Sequence, residues 1–158
     1  MGFSDPKDVF GFTVSIVAAV FCVALIGSAG STIAVGTCNA TGPLDTPFDR
    51  ILYCVGGAFG LIVSVAGFLL AVASILFHIM DELWDMKIAR IVLTIGPLAL
   101  VLFSLICIGL YVGAWLQEGY LVEAGLSIGF CGASAASLGL MALFNSMSHG
   151  GGVCGCFN

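Results

Sequence analysis

Four long apolar stretches, roughly residues 10–35, 51–77, 88–115 and 121–144, fill almost all of this 158-residue chain. Only short polar segments part them. A bilayer's hydrocarbon core is about 30 Å thick and takes about 20 helical residues to cross, so each stretch is long enough to span it. No water reaches the bilayer interior to bond free N–H and C=O groups, so the segments must satisfy their own backbone as helices. The expected fold class is all-α, a four-helix transmembrane bundle with short loops. A soluble domain is excluded by composition: 60% of the residues are hydrophobic and 8% charged, against about 45–50% and 25% in ordinary domains. Residues 1–158 therefore read as one four-span membrane domain, with 146–158 a flexible tail rich in Cys and Gly.

The first stretch is too long for the apolar core of a signal peptide, and no small-residue cleavage site follows it. The net charge of −5 comes from nine acids against four bases, Lys7, Arg50, Lys87 and Arg90, which do not cluster. Nucleic acid needs a basic stripe that they cannot supply. Lys87 and Arg90 fall in the second connection, Lys7 precedes span one, and only Arg50 lies in the first connection. The positive-inside rule then puts both termini in the cytoplasm.

Helix punctuation agrees with four spans. Ser4, Asp5 and Pro6 form a start signal, because proline in the first turn lacks only an N–H that would be unbonded anyway. Gly27, Gly30 and Gly36 soften the end of span one, which is expected somewhere between Ala29 and Val35. The first connection, 36–50, carries two prolines. Between spans two and three, Asp81, Glu82 and Asp85 surround Trp84 and read as a solvated turn. Pro97 falls within span three and removes one backbone hydrogen bond, which is tolerated where a neighbour bonds the freed carbonyl. Tyr111, Trp115 and Tyr120 form an aromatic belt at the outer interface. The third connection, 116–120, is short enough to make spans three and four an antiparallel hairpin.

Small residues recur every fourth position on every span: Gly11, Ser15 and Ala19; Gly56, Gly60 and Ser64; Gly109 and Gly113; Gly125, Gly129, Ala133 and Ser137. Such stripes let helix backbones approach closely, and close packing drives helix association in lipid. They are expected to hold the chain's own helices together. With one on every span, some are also expected to face other subunits, in a homo-oligomer or a larger membrane-protein complex.

Seven cysteines divide by place. Cys22, Cys107 and Cys131 are mid-span and read as small packing residues. Cys38 and Cys54 flank the outer connection, where an oxidising compartment favours a disulfide between them. Asn39-Ala40-Thr41 is a glycosylation sequon on the same side. Cys154 and Cys156 follow a glycine run at the inner face, where reversible S-acylation is expected.

Intramembrane ionisable groups normally mark function, and the spans are nearly clean of them. Glu123 lies one turn into span four beside Tyr120 and reads as an interfacial acid at a helix N-terminus. His78 and His149 have no second ligand at metal spacing and read as surface residues. No nucleophile–base pair, phosphate loop or paired cysteine motif is present. The chain is therefore expected to be no enzyme and to need no cofactor or metal.

These features together, four spans with cytoplasmic termini, short loops and few intramembrane charges, resemble the small eukaryotic tetraspan proteins, the MARVEL type above all. The chain lacks the large first loop of claudins and the Cys-Cys-Gly motif of true tetraspanins. The resemblance implies membrane organisation, vesicle traffic or cell contact, at the plasma membrane or on endomembrane vesicles. The function expected is that of a structural or accessory protein. The alternative is a pore-forming or transport subunit, with Ser15, Ser31, Thr32, Ser64, Thr94, Ser127, Ser134 and Ser137 along a polar path and Pro97 at a gate. Against that path, buried hydroxyls usually bond carbonyls of their own helix.

The tail generates a direct expectation. Acylation of Cys154 and Cys156 would add about 0.8 kcal/mol per buried methylene to a segment with no fold of its own. Hydroxylamine-sensitive acyl labelling in cells should be present in the wild type and absent from Cys154→Ser/Cys156→Ser; equal labelling would assign those thiols another role.

Overall fold

The computed structural model describes residues 6–38, 47–80, 87–118 and 122–148, with side-chain surroundings for most of them. Every secondary-structure element among the described residues is an α-helix: α1 (Pro6–Cys38), α2 (Pro47–Ile79), α3 (Lys87–Glu118) and α4 (Val122–Ser148). Each contains a run long and apolar enough to cross a membrane: Asp8–Ala34, Ile51–Ile79, Lys87–Gly113 and Gly125–Met147.

The helices outrun the apolar stretches that nucleate them. α1 passes through Gly27, Gly30 and Gly36 to Cys38, although each glycine costs about 1 kcal/mol of helix propensity relative to alanine. Contacts with α2 and α3 along its far half, described below, outweigh that deficit. α3 continues to Glu118, beyond the expected start of the third connection. It is also unbroken across Pro97. α4 runs four residues past Phe144, far enough to bring Asn145 into the helix.

Consecutive helices alternate in direction, and each packs on two neighbours: α1 on α2 and α4, and α3 on the same pair. α2 and α4 also touch across the square they make. Two apolar clusters fill the interior. Nearer the end where α1 starts and α4 finishes are Val14, Ala18, Cys22, Ala71, Leu100, Leu138 and Met141. Toward the opposite end are Leu25, Val63, Cys107, Tyr111 and Cys131. Rings seal two of the seams. Phe10 meets Phe144 at 4.6 Å between centroids, and Phe59 stacks with Phe103 at 6.4 Å.

The outside is as apolar as the inside. Val20, Ile62, Leu69, Ile88 and Leu102 are each at least 60% exposed, and exposed leucines, valines and isoleucines recur along all four helices. Soluble monomers rarely expose contiguous apolar areas beyond a few hundred Å². Hydrocarbon tails solvate such a surface without loss.

Glycine sets how closely α1 approaches α2. A Cβ placed on Gly57 would strike Ile33 and stand 3.0 Å from the Ala29 carbonyl oxygen and from Thr32 Oγ1. One on Gly67 would stand 2.8 Å from Cys22 Sγ and 3.2 Å from Leu138 Cδ1. At Gly57 an obstacle is backbone, which cannot swing aside. Gly57→Val should therefore destabilise the bundle by about 1–3 kcal/mol, the range for overpacked interiors. The equivalent change at Gly109, whose Cβ position has nothing within 4 Å, should be near neutral. Thermal unfolding of both variants in the same detergent measures the contrast.

Candidate functional site

Side-chain hydrogen bonds between helices gather toward the two ends of the bundle. The first layer lies where α1 begins. Ser15 on α1 donates its hydroxyl hydrogen to the Gly11 carbonyl at 2.9 Å and stands 3.0 Å from Ser74 Oγ on α2. Ser74 in turn lies 3.2 Å from Asn145 Nδ2 on α4. The same Nδ2 reaches the Leu93 carbonyl on α3 at 3.3 Å. All of Ser15, Ser74 and Asn145 are buried.

One ordering of hydrogens uses each donor once. The two N–H groups of Asn145 go to Leu93 O and Ser74 Oγ, Ser74 donates to Ser15, and Ser15 donates to Gly11. One continuous chain of hydrogen bonds thus joins all four helices. Its end on α3 has a specific cause. Leu93 is four residues before Pro97, so its carbonyl is the acceptor left without an amide by proline's missing N–H.

His78 belongs to the same layer. Expected at the surface, it is buried, with Nδ1 donating to the Ser74 carbonyl at 2.7 Å. The reason lies across the seam: a Cβ on Gly11 would stand 2.7 Å from His78 Nε2. The imidazole occupies the space that the missing side chain leaves.

The second layer lies toward the other end. Thr32 on α1 donates to Ala29 O at 2.8 Å, which leaves its Oγ1 to accept from the Tyr111 hydroxyl on α3 at 3.2 Å. That bond crosses the diagonal of the square. Tyr111 fits there because Gly56 and Gly60 on α2 present no side chains to it; a Cβ on either would come within 3.1–3.2 Å of the tyrosine. Cys107, one turn below Tyr111, donates its thiol to Gly56 O at 3.2 Å, and Cys131 on α4 donates to Ser104 O on α3 at 3.4 Å. Ser127 is fully buried beside the Tyr111 hydroxyl.

The small-residue positions separate into two populations. Gly56 and Gly60 face the interior, as do the buried Ser64 and Ser137. Gly109, Gly113, Gly125 and Gly129 face open space, with nothing within 4 Å of their Cβ positions. Ala133 is half-buried between the two groups. Of the hydroxyls expected along a polar path, Ser31 is exposed. Those of Ser15, Ser31, Thr32, Ser64, Ser134 and Ser137 donate to carbonyls of their own helices.

Cys54 is half-buried on α2. The side chains of Cys38, Trp115 and Glu123 lie outside the described residues, as do Asn39, Asp81, Glu82, Trp84, Asp85, Tyr120, His149, Cys154 and Cys156. Among the described residues no group of three or more His, Cys, Asp or Glu side chains converges on a point.

Gly57, Gly67 and Asn145 are among the interior positions that the four-residue stripes do not mark. Asn145 nevertheless carries a signal, as a carboxamide directly after the apolar stretch that ends at Phe144. Its role predicts a coupled pair. Asn145→Ala strands the Leu93 carbonyl in an apolar interior, at about 1–3 kcal/mol for an unbonded buried group. An interhelical bond lost in a membrane averages only about 0.6 kcal/mol, so most of the effect comes from the orphaned carbonyl. Pro97→Ala restores the amide that bonds it. The loss caused by Asn145→Ala should therefore shrink in the Pro97→Ala background, read by a double-mutant cycle of unfolding free energies.

No family model, curated protein or solved structure matches this chain.

Proposed function

We propose that the protein is a structural or accessory tetraspan that organises the membrane, or assembles with itself or a larger membrane complex, through small-residue faces of its helices. The observation that carries this reading is the outward placement of Gly109 and Gly113 on α3 and of Gly125 and Gly129 on α4, each with open space beside it. Inside the bundle, glycines serve close approach between helices of the same chain. Where they face outward they leave shallow recesses, and in lipid, close backbone approach of a further helix is what such recesses favour. The rest of the molecule suits a block that is recognised as a unit. All four helices share one hydrogen-bond chain, and the remaining exterior is apolar.

In this reading both termini and the connection after α2 are cytoplasmic, following Lys7, Lys87 and Arg90. Cys38 and Cys54 then face an oxidising compartment and form a disulfide, with Asn39 as a glycosylation acceptor beside them. Cys154 and Cys156 carry acyl chains at the inner leaflet. The layout is that of the MARVEL proteins, and the membrane is the plasma membrane or an endomembrane vesicle of a eukaryote. Catalysis is no part of the proposal, and lipid and other membrane helices are the partners.

Blue-native electrophoresis in mild detergent tests the assembly. The wild type should migrate as a complex larger than one chain. Gly113→Leu and Gly129→Leu should shift it toward the monomer while leaving the melting temperature of the single chain unchanged. A strictly monomeric wild type, with no partner recovered after cross-linking in the membrane, overturns the reading.

A further inference from the structure

The outward faces of the helices are apolar along nearly their whole length. Exposed positions run from Val9 to Ala34 on α1, Ile51 to Met80 on α2, Lys87 to Gly109 on α3 and Gly125 to Met147 on α4. Beyond Lys87 at the head of α3, the polar residues among these exposed positions are Thr13 and Ser31. Both hydroxyls are bonded within α1, Thr13 to the Val9 carbonyl and Ser31 to the Ser28 carbonyl, each at 2.8 Å. His78, the ionisable group within the α2 run, is buried. Lipid therefore meets a continuous apolar girdle whose height is set by helix length.

The four spans hold 27, 29, 27 and 23 residues, which at about 1.5 Å per residue is about 40, 43, 40 and 34 Å. Without its first turn, which holds Lys87 and Arg90, α3 is still as long as α4. A hydrocarbon core is about 27 Å thick in the endoplasmic reticulum and about 32–33 Å in the plasma membrane. Every span exceeds the first figure by at least one helical turn. Tilt does not absorb the excess of α1 and α2: fitting about 40–43 Å into about 27 Å takes about 48–51°, outside the usual range of about 0–40°. A core of about 33 Å brings the tilt back inside that range, and a thicker core lowers it further.

We propose that this girdle selects thick bilayers: the protein partitions into long-chain lipid with a hydrocarbon core of about 33 Å or more, and out of thinner membrane. The physical cause sits at the ends of the two longest spans. In a thin core, Val9 and Phe10 of α1 and Ile51, Ile79 and Met80 of α2, all exposed apolar side chains, are pushed among headgroups and water. Neither span has a lysine or arginine within it to snorkel to a nearer interface. Of the two membranes named in the proposed function, the plasma membrane is the one that fits. The inference shares with that reading only the crossing of the bilayer by four helices. It does not depend on assembly, because a strictly monomeric bundle carries the same girdle.

The test reconstitutes the full-length chain into vesicles of single phosphatidylcholines whose monounsaturated acyl chains grow stepwise in length, and reads the thermal unfolding midpoint in each. The midpoint should rise along the series and peak where the core reaches about 33 Å or more. A trimmed variant, Ile51→Lys/Val55→Lys/Ile79→Lys/Met80→Lys, changes exposed positions only and cuts the α2 girdle to about the length of α4. Its peak should shift toward shorter chains, while its midpoint in detergent micelles, which impose no bilayer thickness, stays that of the wild type. A wild-type midpoint that is flat across the series, or that peaks where the core is about 27 Å, overturns the proposal. So does an unmoved peak in a trimmed variant that is as stable in detergent as its parent. Should that variant fail to fold, the wild-type series decides alone. Native electrophoresis of the same samples keeps the outcome separate from the question of assembly.

Discussion

Pro97 takes one rung out of the α3 hydrogen-bond ladder, and the Leu93 carbonyl that it frees points into a bundle interior without water to bond it. Asn145 answers from α4, and in doing so fixes more than one carbonyl. Its second N–H holds Ser74 of α2, and Ser74 holds Ser15 of α1. The relative rotation of all four helices at this end follows from a single amide. Burial of a polar group without a partner is what an apolar interior penalises most. A sequence that places proline here therefore depends on the carboxamide, and the carboxamide depends on two serines to use its remaining hydrogen.

The second constraint is steric. Lipid tails are as apolar as leucine, so the helices gain little by hiding hydrophobic surface from them and much by fitting closely. Glycine therefore does opposite work on the two sides of the same helix surface. At Gly57 it lets α2 approach the backbone of α1, at Gly67 it makes room for the side chains of Cys22 and Leu138, and at Gly11 it admits the ring of His78. At Gly56 and Gly60 it makes room for Tyr111. On the outer halves of α3 and α4 it touches nothing of its own chain.

The four helices were legible in the sequence because hydrophobicity, length and backbone satisfaction all act along the chain, and each is readable without knowing any neighbour. What the sequence hid depends on rotation about the helix axis. A four-residue spacing places Gly56 with Gly60 and Gly109 with Gly113 on common faces, but whether a face turns inward is set by the partners across the seam. Gly57 and Gly67 escaped because their importance comes from Ala29, Ile33 and Cys22 on α1, not from spacing. Asn145 escaped for a different reason. The apolar stretch ends at Phe144, whereas the helix does not, and a polar residue one position past a hydrophobic run reads as surface until Leu93 is seen to need it. His78 reads as a surface residue on the same logic, and the fold buries it.

The two ends of the bundle are held by different physics. Where α1 begins, amide and hydroxyl hydrogen bonds run through all four helices and set their rotation by direction. Toward the other end the links from α3 to α2 and α4 are Cys107 to Gly56 O and Cys131 to Ser104 O, and a thiol is a weak donor. The Thr32–Tyr111 pair supplies a hydroxyl bond there, and it joins α1 to α3 across the diagonal. α4 is thus anchored firmly through Asn145 near its finish and mainly by packing near its start. Its start is also where Gly125 and Gly129 leave the surface open. The part of α4 most able to adjust to another helix is therefore the part with the least side chain in the way.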